Sequence, residues 1–126
     1  MKKKLIILIS LTVLLGFISC GTTGSANPEW AGVYTGLIPA ASTSGIDVEM
    51  TLNSDNTYRV IYRYADRGNQ EFVFIGDFKW NGSVITLNTK EIPPHYKVEK
   101  DFLIQLDLEG KTISGALANN YILKKQ

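Results

Sequence analysis

The chain has 126 residues, 13 Lys+Arg against 12 Asp+Glu, one histidine and one cysteine. That length fits one domain with a single core. The balanced charge excludes the basic surface a nucleic acid needs, and one cysteine excludes a disulfide framework.

Met1 and Lys2-Lys3-Lys4 precede an apolar run from Leu5 to Ile18, broken only by Ser10, Thr12 and Gly16. The layout is that of a signal peptide over residues 1–19. At about fourteen residues the run falls short of the roughly 20 that a membrane-crossing helix requires. It closes on Phe17-Ile18-Ser19-Cys20-Gly21, which resembles the bacterial lipobox, in which a small residue precedes a cysteine that is acylated before cleavage. Phe17 stands where a leucine is usual. Cys20 is the only thiol of an exported chain, so lipidation accounts for it better than a free thiol in an oxidising compartment. The expected partner is therefore a membrane, held through two or more acyl chains, since a single chain binds only marginally. Removal of residues 1–19 takes three lysines, so Lys+Arg falls from 13 to 10 against 12 acids and the net charge becomes about −2. Gly21 lacks the aspartate of the enterobacterial inner-membrane retention rule, which favours the outer membrane.

Residues 20–28 continue as GTTGSANP after Cys20, small and polar, and read as a tether; the domain is expected over residues 29–126. Ile46, Val48, Met50 and Leu52 alternate with Asp47, Glu49, Thr51 and Asn53, the pattern of a half-buried strand. After a turn at residues 53–57, Tyr58, Val60, Tyr62 and Tyr64 alternate with Arg59, Ile61 and Arg63, so outward acids face outward arginines across an antiparallel pair. Phe72, Phe74, Gly76, Phe78 and Trp80 follow. Asn81-Gly82 then predicts a type I′ turn that sets Phe78 opposite Ile85 and Gly76 opposite Leu87. Tyr96 and Val98 precede a strand carrying Phe102, Ile104, Leu106 and Leu108. A three-residue loop at residues 99–101 is expected, which places Val98 with Phe102. Ile113 and Leu117 are expected inward, and Tyr121 and Leu123 belong to a last strand.

No stretch has helical spacing, so the fold class is all-β. About eight short antiparallel strands in chain order form a small up-and-down β-barrel of lipocalin type, with a β-sandwich as the alternative.

Catalytic chemistry has little to stand on. His95 follows Pro93-Pro94 with no second histidine or thiol to complete a metal site. No serine sits in a Gly-x-Ser-x-Gly elbow, and no carboxylate pair is fixed by spacing. The expectation is a non-enzyme without a cofactor or metal. The candidate ligand or partner loop joins the first two strands with small residues, and its named positions are Tyr34, Gly36, Pro39, Ala40, Ser42, Thr43 and Gly45. A barrel mouth near Tyr34, Tyr62 and Phe74 would alternatively take a small apolar molecule or lipid.

Ordered along the mature chain stand Trp30-Ala31-Gly32-Val33-Tyr34-Thr35-Gly36-Leu37-Ile38-Pro39, Gly45-Ile46, Asp55-Asn56-Thr57-Tyr58, Gly76-Asp77-Phe78-Lys79-Trp80, residues 106–113 (LDLEGKTI) and Asn120-Tyr121-Ile122-Leu123. In that order and spacing they resemble the NlpE family of envelope lipoproteins, linked to copper resistance and envelope-stress signalling. The resemblance implies a lipocalin-like barrel and an envelope protein partner. It also implies a second, OB-like domain in the best-known members, for which this chain has no residues. Members proposed to bind copper carry Cys-x-x-Cys before the Gly-Ile step. Those positions are Ala40 and Thr43 here, and neither supplies a thiolate, so no metal ligand is carried over. Function then rests with the barrel's shape and loops, in envelope stress sensing, surface adhesion or maintenance.

Overall fold

A computed structural model describes residues 28–40, 43–68 and 70–126. Residues 1–27, over which the sequence predicts the signal peptide, the lipidated Cys20 and most of the tether, lie outside the described residues, as does Ser42. The chain forms eight antiparallel strands: β1 (Gly32–Ala40), β2 (Thr43–Leu52), β3 (Thr57–Tyr64), β4 (Gln70–Asn81), β5 (Val84–Leu87), β6 (His95–Val98), β7 (Phe102–Gln105) and β8 (Ile122–Lys125). Each pairs with the next, and β8 returns to β1, so the sheet closes into an up-and-down barrel, as the alternation predicts. Alternation is the cause: a strand with one apolar face must bury it, and closure does so while leaving no open end to the sheet order.

The inward set is Tyr34, Val48, Met50, Leu52, Tyr58, Val60, Phe78, Ile85, Leu87, Tyr96, Leu103 and Leu123, none more than 3% exposed. Outward, Arg63 bridges Glu49 on β2 and Glu71 on β4 at 3.5 and 2.6 Å, the cross-strand charge pairing expected from the sequence. The β2–β3 turn is built by Asp55, whose Oδ1 accepts from the Thr57 amide (3.2 Å) and hydroxyl (2.6 Å), with Asn56 at φ 67°. Asparagine tolerates that left-handed conformation better than most residues.

Three local expectations give way. The β4–β5 connection is Gly82-Ser83, not Asn81-Gly82, and Phe78 lies opposite Leu87 with Trp80 opposite Ile85. Gly82 takes φ 63° while Ser83 does not go positive, so glycine occupies the first central position, as in a II′ turn, rather than the second of a I′ turn. The slip is two residues, so every side chain keeps its face. At β6–β7 the loop is the two-residue Lys100-Asp101, closed by Glu99 N donating to Phe102 O (2.9 Å), and Val98 pairs with Leu103. Here parity changes, and Leu103 (0%) is buried rather than Phe102. Leu108 and Leu117, expected inward, are 77% and 52% exposed in the irregular segment between β7 and β8.

The two halves of the wall differ in height. Strands β1–β4 run 9, 10, 8 and 12 residues, whereas β5–β8 have four each. At the lower end, where β1 starts, Trp30, Phe78 and Trp80 stack edge to face with centroids 5.2–6.0 Å apart. At the upper end the tall half rises past the short one.

Candidate functional site

Above the short half-wall, among the described residues, the inward positions of β3 and β4 have no strand opposite them. The register pairs Val60 with Phe74 and Tyr62 with Phe72, so four rings share one concave face: Tyr62, Tyr64, Phe72 and Phe74. They interlock edge to face, Tyr62 with Phe74 and Tyr64 with Phe72 at 5.5 Å, and Tyr62 with Tyr64 at 6.4 Å. Aromatic quadrupoles favour that geometry, which makes the shelf rigid without filling the space above it. Exposure grows upward along each strand, from buried Tyr62 (8%) to half-buried Tyr64 on β3 and from half-buried Phe74 to Phe72 (40%) on β4. The 3₁₀ turn Ala65–Arg67 ends on Gly68 at φ 70° and sets the Arg67 guanidinium 5.1 Å from the Tyr64 ring centroid, a cation–π contact at the rim.

Below the shelf the barrel is packed. Burial pushes the Tyr62 phenol up to about 12, reinforced by neighbouring Tyr64, while a hydrogen bond from Tyr96 pulls the other way. Tyr96 is held well above the usual tyrosine range, first by burial and then by Tyr62. Tyr58, also raised chiefly by burial, lies over Gly76, where a Cβ would meet its hydroxyl at 2.9 Å, and bonds Thr89 of the β5–β6 loop. These phenols close the interior with their own polar ends, so a ligand entering from above stops at the shelf.

The sequence-derived site residues are not brought together. Tyr34 is 0% exposed and donates to the Trp30 carbonyl (2.7 Å) at the lower end, far from the mouth where it was expected. Its phenol too is raised, by burial and then by Asp101. The supposed loop is mostly strand: Gly36, Pro39 and Ala40 belong to β1, and Thr43 and Gly45 to β2. Gly36 is a packing position, because a Cβ there would lie 2.5 Å from the Ile122 carbonyl oxygen and 2.9 Å from Leu123 Cδ2. Pro39 sits where the β1–β2 register shifts, the place in a sheet where proline's missing N–H does least harm. Gly45, at φ 138°, packs against Leu37, with a Cβ position 3.0 Å from Leu37 Cδ1. Tyr62 and Phe74 do line the shelf, as expected. Tyr64 and Phe72 complete it, and the cue for them was the length of the β4 alternation against the short strands after it.

Recesses also open elsewhere on the wall. One of about 660 Å³ is lined by Asp77, Lys79, Thr86, Asn88, Lys90 and Pro94. Another of about 360 Å³ lies between Asp101, Phe102, Ile122 and Lys124. His95 Nδ1 is 3.0 Å from Thr86 Oγ1 and part-buried, which ties β5 to β6. Among the described residues no three of His, Cys, Asp and Glu gather around one point that could hold a metal. Ala40 and Thr43 are Cα partners across the β1–β2 hairpin, and neither alanine nor threonine offers the thiolate that copper favours.

Residues 34–116 match the family model of the NlpE N-terminal domain. The chain belongs to the NlpE family. A solved structure from Shewanella oneidensis, a candidate lipoprotein, shares 41% identity at a TM-score of 0.70, covering 77% of this chain and 89% of that one. The Cpx pathway activator NlpE from Escherichia coli shares the fold at 24% identity and a TM-score of 0.57, covering 72% of this chain and 48% of that one. The present chain thus spans about half the length of the latter. No curated protein matches. Family features read from the sequence have structural causes in this NlpE-type barrel. Asp55-Asn56-Thr57-Tyr58 is the β2–β3 turn and the core ring that follows it, and Gly76 is the space that ring needs.

Proposed function

We propose that this NlpE-family domain is a non-catalytic docking module of the cell envelope that works in envelope-stress sensing. It is held at the outer membrane by acyl chains on Cys20 after loss of residues 1–19. The observation that carries the reading is the aromatic shelf of Tyr62, Tyr64, Phe72 and Phe74 at the barrel end opposite the one where residue 28 enters. Eight chain steps lead from Cys20 to Pro28, so the tether reaches at most about 28 Å from the anchor. The lower end therefore stays near the lipid and the shelf points away from it. An apolar rim on a water-facing end is the usual mark of a contact site. Interior packing below Tyr62 favours a partner resting on the shelf over a small apolar molecule carried inside. The family, and the likeness in fold to a Cpx pathway activator, point to stress signalling as the setting.

Two substitutions test this in cells. Cys20→Ala is expected to release the protein from the membrane fraction. Phe72→Asp is expected to leave folding intact, because the side chain is 40% exposed, while lowering the response of an envelope-stress reporter. If deleting the whole protein leaves both reporter output and surface adhesion unchanged, the proposal is wrong.

A further inference from the structure

The upper part of β4 is an open sheet edge. Along its first eight residues, Gln70 to Asp77, it pairs with β3, but β5 joins it only over Phe78–Asn81. Phe78 N donates to Asn56 O on the β3 side (2.9 Å), while Asp77 O accepts from Asn88 N on the β5 side (2.9 Å). By the alternation of an antiparallel strand, even-numbered residues of β4 bond to β3 and odd-numbered ones face the other way. Glu71, Val73 and Ile75 thus present N–H and C=O groups where, among the described residues, no strand lies. The chain leaves this line after Asn88, so among the described residues no strand pairs with β4 on this side over about 14 Å, the length of four strand steps.

Both faces of this edge are apolar. Phe72 (40%) and Phe74 look inward to the shelf, and Val73 (50%) and Ile75 (74%) look outward. Proteins normally protect such an edge with charge, proline or a covering segment. Here the only charges between Gln70 and Phe78 are two acids, one at each end of the apolar stretch: Asp77, and Glu71, which with Glu49 shares the single cation Arg63 and so leaves a net negative cluster.

We propose that the partner docks by strand addition: an extended apolar segment of another protein, flanked by lysine or arginine, inserts beside β4 as a ninth strand. It would bond Glu71, Val73 and Ile75, lay alternate side chains on the shelf and place its basic flanks near Glu71 and Asp77. This rests on the docking role proposed above and specifies how docking occurs. A second copy of the chain fits less well. The two-fold pairing of two β4 edges is antiparallel, which puts one tether at each end of the pair. A tether of about 28 Å does not return along a twelve-residue strand of about 40 Å to the same membrane.

The test is residue-resolved amide hydrogen exchange on the mature protein carrying Cys20→Ala. The probe is a synthetic heptapeptide of alternating valine and phenylalanine with a lysine at each end. In the free protein, Glu71, Val73 and Ile75 are expected to exchange fast and Phe72 and Phe74 slowly. Saturating peptide is expected to slow the first three by at least about tenfold. The same peptide N-methylated on its pairing edge, or the Val73→Pro variant, is expected to lose that protection, while Val73→Thr keeps it. Slow exchange at the three amides before any addition means that the edge is already paired and overturns the proposal. Equal binding of the N-methylated peptide, with shifts confined to Phe72 and Phe74, also overturns strand addition but leaves the shelf as a docking site. So does failure of the peptide to bind while Phe72→Asp still lowers the stress reporter.

Discussion

Gly36→Ala probes the seam of the barrel. β8 meets β1 through two strand-paired positions, Tyr34 with Lys125 and Thr35 with Lys124, extended by Gln126 N donating to Val33 O (2.8 Å). Immediately above them β8 passes so close to β1 that a Cβ on Gly36 would stand 2.5 Å from the Ile122 carbonyl oxygen and 3.3 Å from Leu123 Cα. Both are backbone atoms, so no side-chain rotation relieves the contact. Restoring an ordinary separation moves β8 by about 0.7 Å or more. Overpacking of this kind costs about 1–3 kcal/mol, and partial withdrawal of Leu123, 1% exposed, adds to it. Against that, alanine restricts the unfolded chain and returns about 0.4–1 kcal/mol. The net expectation is a loss of about 1–3 kcal/mol, or roughly 5–20 °C in Tm for a domain of about 100 residues. Urea unfolding followed by tryptophan fluorescence measures it. A variant within about 0.5 kcal/mol of wild type at unchanged m-value would refute the seam argument. If that variant also failed in the stress assay, Gly36 would return to being a contact residue.

Gly76→Ala is expected to cost about 1–2 kcal/mol, because the buried Tyr58 ring 2.9–3.1 Å away must tilt and lose its bond to Thr89; calorimetry checks it, and a neutral result means the ring has slack. Stability is expected to fall as pH rises from about 10 to about 12. The raised phenols of Tyr34, Tyr58, Tyr62 and Tyr96 keep their protons when folded and lose them when unfolded, so the unfolded state binds fewer protons across that window. Tyrosinate absorbance together with circular dichroism follows this, and smooth ionisation of all six tyrosines near pH 10 with the fold intact would contradict it. Ala40→Cys combined with Thr43→Cys is expected to bind Cu(I) where neither single variant does, since paired positions bring two sulfurs to one ion. Competition with a chromophoric chelator reads the difference, and equal affinity in a single variant would remove the register from the explanation.

Strand identity and inward faces were legible in the sequence wherever alternation ran unbroken, as along residues 46–52 and 58–64. Alternation does not fix pairing. A two-residue slip leaves every face unchanged, which hid the true turn at Gly82-Ser83. At β7 the sequence Phe102-Leu103-Ile104 is apolar at consecutive positions, so parity rested on loop length alone. The first hairpin was obscured for another reason. Gly36, on the inward face of β1, has no side chain to carry the period, and small residues plus Pro39 made two paired strands resemble a loop. Of the site, Tyr62 and Phe74 were readable as mouth residues. The shelf was not, because it exists through the unequal heights of the two half-walls, a relation between strands that no single segment encodes.

The barrel's closing partners, β1 and β8, are also its first and last strands, and Thr35 and Gln126 meet across 91 positions. Contacts that distant form late, since loop closure must be completed before they stabilise anything. Until Ile122–Lys125 have emerged, β1 has no partner on its second side and Gly36 has no backbone to lie against. For a chain exported as proposed above, that order is an advantage: it stays extensible while it is being moved and acquires its final shape only when the whole of it has arrived.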